Sequence, residues 1–249
     1  MKSRHDIIWL KEVDSTNNEA KMHIDRLDNL SVISANCQTA GRGQNGNSWS
    51  SNPGENLTFS VVLKYHIQAH DSFVISEIAS LAIVDLLSMY GIEAKVKWPN
   101  DIYVGNKKIC GILVEHSLRE KWISHSIVGI GLNINQRNFN VNIPNPTSMS
   151  LCTNDSYDCC KVLNEYIDIL EEYLERYLHI KGGYAKIRRL FLAQLWRLDE
   201  KFQYIDMTLE KPAEFTGIIR GLSDIGQLII ENEKGELKEF AFKEISFKL

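Results

Sequence analysis

The sequence predicts an α+β fold: a mixed, largely antiparallel sheet with helices mainly on one face, then a small all-β unit. Three observations carry that prediction. Short apolar runs with strand-like alternation recur through the first 135 residues. Stretches of helical spacing sit between and after them. From Phe202 onward only short apolar runs remain, split by Asp224-Ile225-Gly226 and Glu233-Lys234-Gly235. At 249 residues and 44% hydrophobic content, the chain has room for one large domain and an appendage. Residues 1–200 are assigned to the first and 201–249 to the second. A unit of roughly 45 residues is too small to be comfortable alone, so it is expected to pack on its neighbour.

Taken in order, Ile7 to Leu10 reads as a strand. "DSTNNEAK" reads as a helix start capped by Asp14 or Ser15, with Ala20, Ile24 and Leu27 along one face. "SVISANCQT" is a strand that leads into the glycine-rich "QTAGRGQNGNSW". In "LTFSVVLKY", Leu57, Phe59, Val61 and Leu63 alternate with Thr58, Ser60 and Lys64, the signature of a half-buried strand. Asp71 opens a helix carrying Val74, Ile78, Leu81 and Ala82, and Gly91 ends it. "AKVKW" and "DIYV" follow, then a Gly105-Asn106 hairpin turn into "KKICGILVE". "HSIVGIGLNIN" continues the strands. One helix is marked by Val162, Tyr166, Ile167, Leu170, Tyr173, Leu174 and Tyr177; another runs from about Tyr184 to Trp196.

Composition narrows the function classes. With 28 basic and 32 acidic residues the net charge is −4, which argues against a chain built to coat nucleic acid. "MKSRHDIIWL" lacks a long apolar stretch and a small-residue cleavage site, and no later segment reads as an uninterrupted membrane span. A cytoplasmic, membrane-free protein is expected. The five cysteines lack zinc-type spacing; Cys110, nearest a motif, reads as soft packing more readily than as a nucleophile. The seven histidines form no H-x-x-x-H pair, and no G-x-S-x-G elbow is present.

Several polar clusters stand where ligands are usually met, at strand ends and in glycine loops. Gly41, Gly43 and Gly46 allow backbone amides to converge on an anion, and Arg42 can fork onto a carboxylate or phosphate. The spacing resembles a phosphate loop, but Asn47 stands where its lysine belongs and no helix follows. By itself the stretch reads equally as a mobile connector. In "KWPND", Lys97, Asn100 and Asp101 bracket a corner stiffened by Pro99; it suits a nucleotide with its Mg²⁺, or an ordinary turn beside a core Trp98. Lys107 reads as solvated hairpin charge, whereas a lysine at the mouth of a buried strand can place charge beside a reacting group. "GIGLNIN" fails as a dinucleotide fingerprint because Ile134 replaces the third glycine. Asn133 in it could offer an amide to a ligand or cap a turn.

Together, "DSTNNEAK", "QTAGRGQNGNSW", "NLTFSVVL", "VKWPNDIYVGNKKICGILVE" and "GIGLNIN" resemble the biotin–protein ligases, also called biotin–[acetyl-CoA-carboxylase] ligases, in family order. Each motif is weak; five in order are specific. The resemblance implies a catalytic domain of the class II aminoacyl-tRNA synthetase/biotin ligase type and an SH3-like C-terminal barrel. It implies activation of biotin with MgATP to biotinyl-5′-AMP, then transfer to one lysine of a biotin carboxyl carrier domain. Ser15, Thr16, Asn17 and Gln38 would bind the ureido end of biotin. Arg42 would meet the biotin carboxylate and the α-phosphate, beside Gly41, and Gly43, Gly46 and Trp49 would close over the adenylate. Lys97, Asn100, Asp101 and Asn133 would serve ATP; Mg²⁺ would come with the phosphates, beside Asp101, and no metal would be held by protein groups alone. Lys108 matches the family's essential lysine, and Gly111 and Ile112 would line the biotin pocket. Lys108 and Arg42 would be the catalytic cations.

Where many bacterial members carry cations in the loop, this chain has Gln44, Asn45 and Asn47, so less charge holds the adenylate. The catalytic pattern begins by Ile7, so no helix-turn-helix domain and no DNA partner are expected. A homodimer is compatible with the resemblance. Two other readings share parts of the pattern. A lipoate or octanoate ligase would share the fold and the lysine, yet would not need the hydrogen-bonding set around Ser15 and Gln38. A non-catalytic biotin-binding regulator would not need Lys108 and Arg42.

Overall fold

The computed structural model describes residues 5–248, and of Asn45 the backbone only. Met1–Arg4 and Leu249, included in the two assigned residue ranges, lie outside the described residues, as does the Asn45 side chain. Eight strands form the larger sheet: β1 (Ile7–Leu10), β2 (Val32–Ala35), β3 (Leu57–Leu63), β4 (Ile67–Gln68), β5 (Lys95–Lys97), β6 (Asp101–Val104), β7 (Lys107–Arg119) and β8 (Trp122–Leu132). Their order is β1-β2-β3-β8-β7-β6-β5, with β4 beside β8. The β1–β2 pair is parallel and the other pairs are antiparallel, as the sequence predicts.

The two faces of this sheet have different jobs. Phe59, Val61, Val128, Ile130, Cys110 and Ile112 belong to one large core with helices α2 (Phe73–Met89), α4 (Cys159–Tyr177) and α5 (Gly183–Ala193). The segment Ala69–Met89 has the length and apolarity of a membrane span, contrary to the expectation that no segment does. In the fold it is the central core helix, with 72% of that window buried. The opposite face carries α1 (Thr16–Met22), whose Ala20 packs with Leu27, Ile33, Val62 and Ile127. Ile24 and Leu27 extend the apolar stripe past the end of the helix, through turns.

The expectation for β3 needs correcting. Every residue from Leu57 to Leu63 is buried, so the strand is not half-exposed. It lies between β2 and β8, and its polar positions bond to β2 and to α1 rather than to bulk water. Thr58 donates to the Ala35 carbonyl (2.9 Å), and Ser60 is fully buried. Alternation reported two environments correctly, but the polar one is a buried contact with β2 and α1. Two boundaries also move: Asp71 lies in a 3₁₀ turn before α2, and Trp196 lies beyond α5. The short α3 (Met149–Thr153), capped by Ser148, has too little periodicity to be read from sequence.

Five more strands, β9 (Lys201–Asp206), β10 (Ala213–Leu222), β11 (Leu228–Asn232), β12 (Leu237–Phe240) and β13 (Ile245–Phe247), form a second antiparallel sheet ordered β12-β11-β10-β9-β13. It packs on the larger unit as its size demands. Trp98 donates from Nε1 to the Gly226 carbonyl (2.9 Å) in the β10–β11 turn. A Cβ on Gly226 would lie 2.3 Å from the Phe73 ring, so only glycine fits that contact. Arg188 on α5 ties the same turn down through the Ser223 and Asp224 carbonyls while pairing with Glu77 of α2.

Glu77 is 1% exposed, and burial pushes its carboxyl up to about 7 against the opposing pull of Arg188. A raised acid keeps in the fold a proton that the unfolded chain releases. Stability therefore falls as pH rises from the ordinary carboxylate range through 7, then levels. Arg188→Leu removes the cation and raises that carboxyl further. The variant is expected to lose about 3–5 kcal/mol at pH 8 and less at pH 6, measured by denaturant unfolding. An equal loss at both pH values would place the damage in packing instead.

Candidate active site

A cavity of about 360 Å³ opens on the α1 face of the larger sheet, within the range of small-molecule sites. One end is built by the start of α1 and the end of the β2 extension. Ser15 is the N-cap residue of α1, but its side chain makes no capping hydrogen bond and so stays available to the cavity it lines. Gln38 accepts from the Thr16 amide (2.8 Å) and the Thr16 hydroxyl (3.1 Å) through Oε1, which leaves its NH₂ group to point elsewhere. Ser60 Oγ lies 2.7 Å from Thr16 Oγ1 and 2.6 Å from Asn17 Oδ1, and its one proton can serve only one of them. Asn17 donates in turn to Glu115 Oε2 (2.7 Å). Thr16 and Asn17 are buried at 3% exposure, yet both have side-chain partners, so they form a rigid wall.

The floor is made by glycine. On β8, Gly129 pairs with Leu113 and Gly131 with Gly111 of β7, placing all four on the site face. A Cβ on Gly129 would come within 2.2 Å of Asn17 Oδ1, and one on Gly131 within 2.2 Å of the Trp49 ring. The gap left by the two side chains is what admits Asn17 and the indole.

The glycine loop is a small hairpin. Arg42 bridges to Ser48, Trp49 donates to the Gly41 carbonyl (2.9 Å), and Gly43 donates to Asn47 (2.7 Å) around a 3₁₀ turn, Gln44–Gly46. It is thus a hydrogen-bonded element with a defined turn. Gly46 (φ +80°) forms its turn and, like Gly41, is absent from the cavity lining, whereas Arg42, Gly43 and Trp49 line it. Arg42 pairs with Glu115 (2.8 Å).

Lys108 reaches the site because of a β-bulge. The register between β6 and β7 shifts by one residue, from Ile102 opposite Cys110 to Tyr103 opposite Lys108. Regular alternation from Cys110 and Ile112 would aim Lys108 into the core. The extra residue, Ile109, takes that place at 0% exposure and turns Lys108 to the site face. Its backbone is held on both sides, donating to Asn145 (2.8 Å) and accepting from Thr147 (2.8 Å). Its amine pairs with Asp101 at 2.7 Å. Cys110, by contrast, is fully buried and its thiol is pushed far up by burial, which leaves it a packing residue. Lys107 is exposed.

The remaining predicted residues separate into liners and braces. Asn100 lines the cavity but donates to the Ile112 carbonyl (2.7 Å). Lys97 lines it too, with its amine donating to the Tyr103 hydroxyl (3.1 Å) over the Phe247 ring. Burial lowers its pKa, and it belongs to the seam with the second sheet. Asn133 is absent from the main cavity. It lines a second one of about 400 Å³ beside Pro144 and Pro146, where its amide donates to Thr147 (2.9 Å). Trp49 and Lys108 line both cavities and stand between them. Gly129, Gly131, Ser60, Leu113 and Glu115 were not singled out from sequence. The repeated glycines of "GIG", at strand spacing, were the signal available for the first two.

Comparison with known proteins places the chain among relatives. The model of the biotin/lipoate A/B protein ligase family matches residues 9–133. The biotin--[acetyl-CoA-carboxylase] ligase of Paracoccus denitrificans is 31% identical over 235 residues, covering 91% of this chain and 94% of that protein. The bifunctional ligase/repressor BirA of Bacillus spizizenii is 27% identical over 216 residues, and the match covers 84% of this chain but spans only 64% of the repressor's length. Among solved structures, biotin protein ligase from Aquifex aeolicus in complex with biotin and ATP superimposes with a TM-score of 0.79 at 29% identity, covering 98% of each chain.

Proposed function

This chain belongs to the biotin/lipoate A/B protein ligase family, and from that membership we propose that it is a biotin–protein ligase. It joins biotin to ATP as biotinyl-5′-AMP with release of pyrophosphate, then passes the biotinyl group to a lysine of a carboxylase's carrier domain. The observation that carries this reading is one cavity lined both by a hydrogen-bonding wall and by two cations, Arg42 and Lys108. Biotin has groups to match: a polar ring, an apolar middle and a terminal carboxylate. Ser15 and the NH₂ group of Gln38 face its ureido ring, Gly111 and Ile112 flank the chain, and Arg42 takes the carboxylate. Trp49 divides biotin from the adenosine side, where Asn133 and the second cavity receive the base.

Attack of a carboxylate on the α-phosphate brings two anions together. Arg42 and Lys108 offset that charge and hold the reacting atoms in line. Mg²⁺ bound with ATP would supply further charge neutralisation at the phosphates. Asp101 fits as its one protein carboxylate, since Mg²⁺ is commonly held by one or two carboxylates plus substrate phosphates. The second step uses the acceptor's lysine as nucleophile, so no serine or cysteine of this chain is required. The five free cysteines support a cytoplasmic setting. We read the second sheet as the family's SH3-like domain, beginning at residue 201.

The test is incubation with biotin, MgATP and a biotin carboxyl carrier domain, followed by intact-mass measurement. A gain of one biotinyl group on the acceptor lysine, with none from lipoate, is the expected result. Binding of biotin without biotin-dependent pyrophosphate exchange would reduce the protein to a sensor.

A further inference from the structure

We propose that Glu115 is the positioning residue that ties the loop cation Arg42 to the α1 wall of the biotin site. The inference rests on the ligase reading above and adds a residue to it. On β7 the site face presents Gly111, Leu113 and Glu115 in turn, so Glu115 lies just beyond the cavity lining, beside Asn17. One oxygen, Oε2, accepts both the Asn17 amide (2.7 Å) and the Arg42 guanidinium (2.8 Å). Those partners come from two separate elements, α1 and the glycine loop, and the shared oxygen ties the loop cation to the α1 wall.

Each arm is determined. Asn17 has its oxygen against Ser60 and its NH₂ group against Glu115, above the space that Gly129 leaves, so its side chain is a strut and not a free ligand group. Arg42 stands on a loop without neighbouring cations and is 42% exposed. An unheld arginine there would sample many rotamers; pairing through Nη2 fixes it and leaves its other N–H groups for a ligand carboxylate. Lys108 is held in the same way by Asp101. Both substrate-facing cations are therefore pre-placed by acids of the sheet, which lowers the ordering cost when the anionic substrates arrive.

Glu115→Gln retains an oxygen for Asn17 and removes the charge that holds Arg42. The experiment is pyrophosphate exchange with biotin and ATP varied separately, in wild type, Glu115→Gln, Arg42→Ala and the double variant. KM for biotin is expected to rise about tenfold in Glu115→Gln, the size of one lost charge-assisted hydrogen bond, with KM for ATP changed less than about threefold. In the Arg42→Ala background the same change should add less than about twofold. An unchanged biotin KM, equal rises in both KM values, or a full multiplicative effect on top of Arg42→Ala would overturn the coupling. Absence of biotin-dependent exchange in the wild type would instead overturn the ligase reading.

Discussion

Lys108→Ala is expected to slow biotinyl-adenylate formation by about 10²–10³-fold, the loss typical of one well-placed charge at a developing anion. Single-turnover formation of the adenylate, with biotin and MgATP saturating, is the measurement. The size follows from how firmly the lysine is placed. The bulge at Ile109 turns it toward the cavity, hydrogen bonds to Asn145 and Thr147 pin its backbone, and Asp101 holds its amine at 2.7 Å. The charge acts in a cavity it shares with Trp49 and Gly111. Asp101→Asn should have a smaller effect, since it loosens the amine without removing it. A Lys108→Ala rate within threefold of wild type would remove the residue from the chemistry.

That lysine also shows how far a sequence can be read. Its proximity to "GILVE" was visible, but its direction was not. Counting by twos from Cys110 sends it to the core, and only the inserted Ile109 reverses the parity. A bulge leaves no mark in composition or period. β3 shows the converse problem. Its alternation was legible, yet polar residues bonded to neighbouring elements look the same in sequence as polar residues facing solvent. Glu115 was hidden because an acid near a strand end has many uses, and its two partners lie 98 and 73 residues away. Asn100 and Asn133 were found as polar residues near the site, but their amides spend themselves on the backbone. Long, strongly periodic elements such as α2 and α4 were legible because burial dictates their pattern. Contacts between distant elements had no such local imprint.

Gly131→Ala is expected to shorten the life of bound biotinyl-AMP by at least about tenfold, through Trp49 and not through the chemistry. The added Cβ would fall 2.2 Å from the Trp49 ring, and the glycine sits in a β-strand paired on both sides, so the ring must move. Trp49 closes the glycine hairpin through its bond to Gly41 and stands between the two cavities. Displacing it opens the adenylate to water along the boundary where the mixed anhydride must lie. The indole Nε1 is buried without a hydrogen-bond partner among the described residues, so an acceptor on the ligand would add to its hold. The loop has little other means of retention, because Gln44 and Asn47 bring no charge. The decisive measurement is release and hydrolysis of preformed labelled adenylate in Gly131→Ala, Trp49→Ala and the double variant. If Gly131 acts by seating Trp49, the three lifetimes agree within about twofold. A Gly131→Ala lifetime equal to wild type would mean that the ring is not the barrier, and multiplying effects in the double variant would mean that each residue protects the adenylate separately.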